Sequence, residues 1–184
     1  EKRAPLSMFK TLNVRSRTTR YRPIYIDDVL NINSSLDGWR IVEKGLEVDI
    51  TTQIHIDNEK AWENITTFYY RGRFGNSDCS IIPIKLDPIQ DAPSIAEWFL
   101  TDGIGYPFSK IIGDNNGIHY WSWYARMFGF KRDFAQPVLI LGNSIRLLPE
   151  MNPEKPVQLD VLLKGPIYYN NKVFIRGTSD NSRF

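Results

Sequence analysis

Ile111–Ala125 reads I-I-G-D-N-N-G-I-H-Y-W-S-W-Y-A, and it is the stretch of this 184-residue chain that reads as chemistry. It sets Asp114 and His119 five residues apart, with Gly113 before the pair, Asn116 and Ile118 inside it, and Ala125 six residues beyond the histidine. A histidine passes protons near neutral pH and a carboxylate can orient it or share a water with it, so the pairing suits general acid/base work. Gly113 and the D-N-N-G run favour a turn over any regular element. Asn115 or Asn116 then serves as N-cap of a short helix running through His119 to about Met127. Asp114 would lie in the loop and His119 in the first helical turn, so that both side chains converge on one small volume. By itself, an Asp near a His in a turn is more often a cap or a surface pair.

Working outward, the composition supports a packed core, with 42% hydrophobic and 13% aromatic residues. A net charge of +2 is too small to argue for nucleic acid. Arg15, Arg17, Arg20 and Arg22 are the densest basic run, and alternating along a strand they mark a solvated face. The single cysteine, Cys79, excludes an internal disulfide and a cysteine-rich zinc site. With only His55 and His119 as histidines, no metal-ligand spacing is present. No apolar run reaches the ~18 residues of a membrane span, so no membrane partner is expected and the chain reads as soluble and cytoplasmic. It opens on Glu1, which suggests a fragment or a processed product.

The flanks are rich in strand signals. Leu12–Arg22 and Arg22–Ile32 read as two strands, the second interrupted by a turn or bulge at Asp27-Asp28. Asp37-Gly38 is a turn signal. Glu47–Ile56 alternates, with Val48, Ile50, Thr52, Ile54 and Ile56 on one face and Glu47, Asp49, Thr51, Gln53 and His55 on the other, which predicts a half-buried antiparallel strand with His55 exposed. Asp57–Lys60 turns the chain into a further strand, Ala61–Arg71, making a hairpin. After a boundary near residue 75 comes the motif, closed by Phe128-Gly129-Phe130. Pro137–Leu148 reads as a helix with proline at its first position. Pro149 and Pro153 stop it, and Leu159–Lys164 and Pro166–Ile175 read as strands. Residues 22–32, R-P-I-Y-I-D-D-V-L-N-I, match 165–175, G-P-I-Y-Y-N-N-K-V-F-I, without a gap, implying two copies of one unit.

The wider pattern G-D-x-N-x-[ILV]-H-x5-A resembles the signature of the MaoC-like, or R-specific enoyl-CoA hydratase 2, family of hot-dog proteins, which runs roughly S-G-D-x-N-P-[LIV]-H-x5-[AS]. Gly113, Asp114, Asn116, Ile118, His119 and Ala125 fall on motif positions. Ile112 stands where a small polar residue is usual, and Gly117 replaces the proline. The resemblance implies an α+β hot-dog fold, a curved antiparallel sheet wrapped around a central helix, here Pro137–Leu148. Together with the internal repeat it implies part of a tandem double hot-dog protein: residues 1–75 as the C-terminal strands of a first unit, and 76–184 as a second unit carrying the site.

The resemblance also implies an activity, hydration or dehydration of a trans-2-enoyl (3-hydroxyacyl) thioester in fatty acid metabolism. Asp114 and His119 would hold the water, one taking its proton as it attacks Cβ while the other delivers a proton to Cα. Asn116, Gly117, Gln136 and Val138 are the substrate-binding candidates. Arg126, Lys131 and Arg132 are candidates for the phosphates of coenzyme A or of a carrier protein's phosphopantetheine. Either carrier arrives as part of the substrate, so no separate cofactor or metal is implied, and the assembly expected is a homo-oligomer or paired hot-dog units. One departure bears on catalysis. The family usually reads I-A-H-G-M where this chain reads Phe134-Ala135-Gln136-Pro137-Val138, and Pro137 has no N–H for an oxyanion hole. Val138 N–H or the Gln136 side chain would have to rebuild it. Two other readings stay open: a hot-dog protein that binds acyl thioesters without turnover, and a structural or assembly domain. Trp121 and Trp123 read as core or tunnel wall.

Overall fold

The computed structural model describes residues 11–76, 78–79, 91–148 and 152–178. Its contacts divide the chain into two compact units, Glu1–Leu86 with Met151–Lys164, and Asp87–Glu150 with Gly165–Phe184. The division departs from a boundary near residue 75, because one strand from late in the sequence belongs to the first unit's sheet.

That first unit is a six-stranded antiparallel sheet. Its strands are β1 (Thr11–Arg20), β2 (Asn31–Val42), β3 (Gly45–Ile56), β4 (Glu59–Arg71), β5 (Asp78–Cys79) and, from the far end of the chain, Val157–Leu162. The latter pairs with the outer side of β1, which gives the order β5-β2-β3-β4-β1 and then Val157–Leu162 at the edge. The β3–β4 hairpin forms as its sequence predicts. Asp57 and Asn58 take φ of 50° and 66°, the left-handed pair that a two-residue hairpin turn requires, and Ile56 faces Glu59 across it.

Elsewhere the chain departs from its sequence reading. Residues 22–30 form no strand: Pro23 cannot donate to a ladder, and the Asp28 carboxylate accepts the Tyr25 N–H at 2.7 Å, closing a turn at the expected Asp27-Asp28 pair. Asp37 does not reverse the chain either. It is a bulge within β2, where the register shifts between Leu36 and Gly38, and the reversal comes at Glu43-Lys44.

The largest departure concerns the polar face of β3. Glu47, Asp49 and Thr51 are buried, and His55 is half-buried, not exposed. Neighbouring strands supply the reason, because Arg40 of β2 donates Nε to Glu47 at 2.6 Å and its two terminal nitrogens to Asp49 at 2.8 and 2.6 Å. Thr67 of β4 donates to Asp49 at 2.6 Å, and Arg15 of β1 donates to both Glu47 oxygens at 2.5 and 3.0 Å. Burial raises the Glu47 pKa, but the hydrogen bonds from Arg15 and Arg40 outweigh it and hold the carboxyl below its ordinary value. The basic run is therefore an ion-pairing row and not a bare solvated face, since Arg17 likewise binds Asp160.

The second unit pairs β6 (Ser94–Leu100) with the chain's last described strand, Asn171–Arg176, around three helices: α1 (Gly105–Ile112), α2 (Ser122–Met127) and α3 (Pro137–Arg146). In chain order the strands Val157–Leu162 and Asn171–Arg176 are β7 and β8. Pro137 opens α3 at the position where a missing N–H costs nothing. Leu139 of α3 packs with Leu100, Ala135 and Tyr169 in one core, bordered by Trp98, Phe108, Ile140 and Val173. Ile118, Ala125 and Phe134 form the other. The sequence places strands at Leu159–Lys164 and Pro166–Ile175; the first begins two residues earlier, and the second is strand only from Asn171. Pro149 lies outside the described residues.

Candidate active site

Helix α1 ends at Gly113, which takes φ 71°, and Asp114 N–H turns back onto the Ser109 carbonyl at 3.1 Å. The next residues build a tight cap. Asp114 Oδ1 accepts the Asn116 N–H at 2.9 Å, and the Asn116 side chain accepts the Ile118 N–H at 3.4 Å. Asn116 is thus the cap that its type predicts, but the helix it opens is a single 3-10 turn, Gly117–His119, broken at Tyr120 and Trp121 before α2 begins. The Tyr169 hydroxyl donates to the His119 carbonyl at 2.7 Å, occupying the oxygen that a continuing helix would offer to its next turn. Ile118 and Ala125 point into the core, so the apolar and small positions of the motif anchor the turn that carries the histidine.

His119 is buried. Its Nδ1 lies 2.9 Å from the Phe134 carbonyl oxygen, which can only accept. Nδ1 therefore carries the hydrogen, and Nε2 presents a lone pair. That Nε2 stands 3.8 Å from Asp114 Oδ2, too long for a hydrogen bond and short enough for one water to reach both. Burial lowers the His119 pKa, and the Phe134 carbonyl and the Asp114 charge oppose that only in part. The ring is neutral near pH 7 and ready to accept a proton. Edge-on contact with Phe134, centroids 4.9 Å apart, holds its plane.

The other sequence candidates fall in different surroundings. Gly117 is tightly enclosed: an added Cβ would lie 2.8 Å from the Trp121 ring and 3.0 Å from Tyr124. Gln136, 1% exposed, uses its side-chain N–H groups on the Gly105 carbonyl at 3.0 Å and the Ser109 hydroxyl at 2.8 Å. Val138 lies in the first turn of α3, where backbone N–H groups have no partner within the helix. Arg126 donates Nε to the Lys131 carbonyl, and Arg132 pairs with Asp102 at 3.1 Å. Lys131 is exposed. Trp121 and Trp123 stack at 6.0 Å and are 48% and 60% exposed, so within this unit they are not core.

Three residues that fix the site left no mark in the motif. Phe134 acts through its carbonyl, Tyr169 through the hydroxyl on His119, and Gly105 through its size, since a Cβ there would lie 2.2 Å from both the His119 carbonyl oxygen and the Tyr169 hydroxyl. A carbonyl has no side-chain signature. Phe134 and Tyr169 stood in stretches the sequence singles out, Phe134-Ala135-Gln136-Pro137-Val138 and the repeated P-I-Y segment, but for other reasons, and Gly105 stood in none.

Among the described residues no cluster of His, Cys, Asp and Glu could hold a metal ion, and no helix is long and apolar enough to cross a membrane.

No protein-family model matches the chain. Among curated proteins it is 28% identical over 131 residues to 3-hydroxyacyl-thioester dehydratase X of Mycobacterium tuberculosis, a match covering 71% of this chain and 46% of that protein. The chain thus spans about half the length of that curated relative. A MaoC-like dehydratase from Phytophthora capsici superposes with a TM-score of 0.79 at 16% identity, over 98% of this chain and 63% of that one. The crystal structure of HtdX from M. tuberculosis gives 0.73 at 21% identity, over 98% and 69%. At such identities the structures speak to fold. In motif, in fold and in sequence, the chain is similar to the MaoC-like dehydratases, and its fold is the hot-dog fold of that family.

Proposed function

We propose that this chain carries the active site of an acyl-thioester hydratase/dehydratase that adds water to, or removes it from, a trans-2-enoyl (3-hydroxyacyl) thioester. The observation that carries this reading is the 3.8 Å gap between His119 Nε2 and Asp114 Oδ2 with the imidazole hydrogen committed to Phe134. A neutral imidazole nitrogen and a carboxylate oxygen both accept, so a water between them donates one hydrogen to each and turns its lone pairs outward. In hydration one of the two groups takes the water proton as the oxygen bonds to Cβ. The π pair of the alkene moves onto the thioester as enolate, and the group that took the water proton gives it up to Cα, so the imidazole and the carboxylate both return to their starting forms with one water added.

Enolate charge needs a donor. With the Gln136 amide hydrogens already held by Gly105 and Ser109, that role passes to Val138 N–H in the first turn of α3, where the helix dipole favours negative charge. Asn116 and Gly117 shape the turn beside it. Lys131, exposed and next to the Arg126 and Arg132 pairs, is the simplest contact for the phosphates of coenzyme A or phosphopantetheine. The single cysteine, exposed, suits a reducing, cytoplasmic compartment.

Pro137 favours one rival, a protein that binds the thioester without turning it over. Following the absorbance of the conjugated double bond of short and medium trans-2-enoyl-CoA, with Asp114→Asn as control, separates the two. Hydration that disappears with the substitution supports catalysis. Saturable binding without hydration by the parent chain would reject catalysis for the binding role.

A further inference from the structure

The repeat seen in the sequence has a structural counterpart. At its first copy the Asp28 carboxylate accepts the Tyr25 N–H. At the second, 143 residues on, the Asn171 amide donates to the Tyr168 carbonyl. In each, the residue three after the tyrosine bonds that tyrosine's backbone, and a strand begins nearby, β2 at Asn31 in the first copy and β8 at Asn171 itself in the second. The same offset carries β7 onto residues 14–19, inside β1. Strand, P-I-Y turn and strand thus recur, and the leading strands of the two copies, β1 and β7, pair with each other.

They pair antiparallel, from Arg15 facing Leu162 to Arg20 facing Val157. Two copies of one strand laid antiparallel have a local twofold axis where a residue faces its own counterpart. Here that pair is Arg17 and Asp160, directly opposed and 143 residues apart. The two are joined by a two-pronged bond, Arg17 Nε to Asp160 Oδ1 at 2.6 Å and a terminal nitrogen to Oδ2 at 2.9 Å. The arginine holds the Asp160 carboxyl below its ordinary value.

We propose that Arg17 and Asp160 form a pairing-specificity device that selects the joining of β1 to β7 and rejects the joining of either strand to its like in a second copy of this chain. About the same axis, β7 against β7 would oppose Asp160 with Asp160, and β1 against β1 would oppose Arg17 with Arg17. Like charges directly opposed destabilise a strand pair, and opposite charges stabilise it. Apart from Gln158, whose amide donates to Asp160 at 2.9 Å, the remainder of β7, Val157, Leu159, Val161 and Leu162, is apolar and offers no other charge to prevent self-pairing. As the edge strand of the sheet, β7 is where such mispairing would begin.

The test is a charge swap read by mass and melting, independent of turnover, so its failure is distinguishable from failure of the proposed activity. Arg17→Asp and Asp160→Arg, each alone, put like charges on the axis and are expected to lower Tm by about 2–4 °C. The double variant R17D/D160R restores opposite charge, and with it the parent's Tm and mass by light scattering. Unfolded together at equal concentration and refolded, the two single variants are expected to give a species of twice the chain mass containing one of each, which the parent alone does not give. A double variant as destabilised as the worse single variant overturns the proposal, as does a mixture with the parent's mass distribution. If a single variant does not fold, the double variant decides alone: refolding to the parent's Tm and mass supports the device, and failure to do so rejects it.

Discussion

The first unit's ionic cluster and the second unit's Asp114–His119 pair are both buried or half-buried polar groups on a scaffold of strands and turns, yet they are built to opposite ends. In the cluster, Arg40, Glu47, Asp49, Thr67 and Arg15 meet at hydrogen-bonding distance, and Arg40 reaches three partners. Every strong charge is answered, so nothing is left to bind or transfer. At the other place two acceptors face each other across 3.8 Å, a spacing that one bridging donor fits. The difference teaches that burial of charge does not by itself mark a site. The unsatisfied geometry does, because only a group with an open valence of hydrogen bonding can act on a third molecule.

The sharpest way to break the comparison is to remove an acceptor at the gap. Asp114→Asn or His119→Gln is expected to cut enoyl-thioester turnover by about 10²–10⁴-fold while far-ultraviolet dichroism and Tm stay close to the parent's. A variant that keeps turnover would reduce the pair to a cap. Within the cluster the reverse holds. Arg40→Met leaves Asp49 buried without a cation and Glu47 with Arg15 alone, and should cost about 3–5 kcal/mol in a urea titration, whereas replacing Arg40, Glu47 and Asp49 together by apolar residues should cost less than that single change. If the triple variant were the less stable, the cluster would be a net stabiliser and not merely a satisfied one.

Tyr169→Phe lies between these cases. Its hydroxyl leaves the buried His119 carbonyl without a donor, an expected loss of about 1–3 kcal/mol, and unlike Arg40→Met it should also lower kcat by loosening the histidine's turn. Comparing kcat for both variants at temperatures where each is fully folded checks this.

The pH dependence separates the two regions as well. The folded-state pKa of His119 lies below its ordinary 6.5, so the unfolded chain takes up that proton first as pH falls. The contribution of the neutral imidazole is therefore complete above about pH 6.5 and declines below it, with a slope no steeper than ~1.4 kcal/mol per pH unit. A His119→Phe chain should lack that slope. Glu47, held below its ordinary 4.5, contributes above that value and loses its contribution only at lower pH. Denaturant titrations from about pH 7.5 down to about pH 2 resolve the two windows. The smallest effect is expected at the exposed Lys172–Glu97 pair, 3.1 Å apart: Lys172→Ala should change stability by less than about 0.5 kcal/mol.

How far all this was legible in the sequence varies with the element. The β3–β4 hairpin was, since the polar run Asp57–Lys60 separates an alternating strand from one rich in β-formers, and the structure narrows the turn to Asp57-Asn58, both at positive φ. So was α3, announced by Pro137 and its apolar spacing. The strand expected over 22–32 begins only at Asn31, because a bond from the Tyr25 N–H to the Asp28 carboxylate outcompeted a ladder that Pro23 could not complete. The polar face of β3 looked solvated because alternation shows which residues share a face, not what lies across from them.

The sequence alone determined the chemistry available: the Asp-x4-His spacing, the turn signal at Gly113, the asparagine cap, and strand-rich flanks that carry a repeat. Those are local properties, set within one turn or by a pattern of residue types. Only the tertiary structure decided which imidazole nitrogen is free, because that depends on a carbonyl 15 residues away. It alone decided that Gln136 is spent on α1, that Arg40 reaches between β2 and β3 to neutralise two carboxylates, and that Arg17 meets Asp160 on an axis. Each of these is a contact between residues distant in the chain, and hydrogen bonds and ion pairs depend on distance and angle, which no one-dimensional spacing fixes.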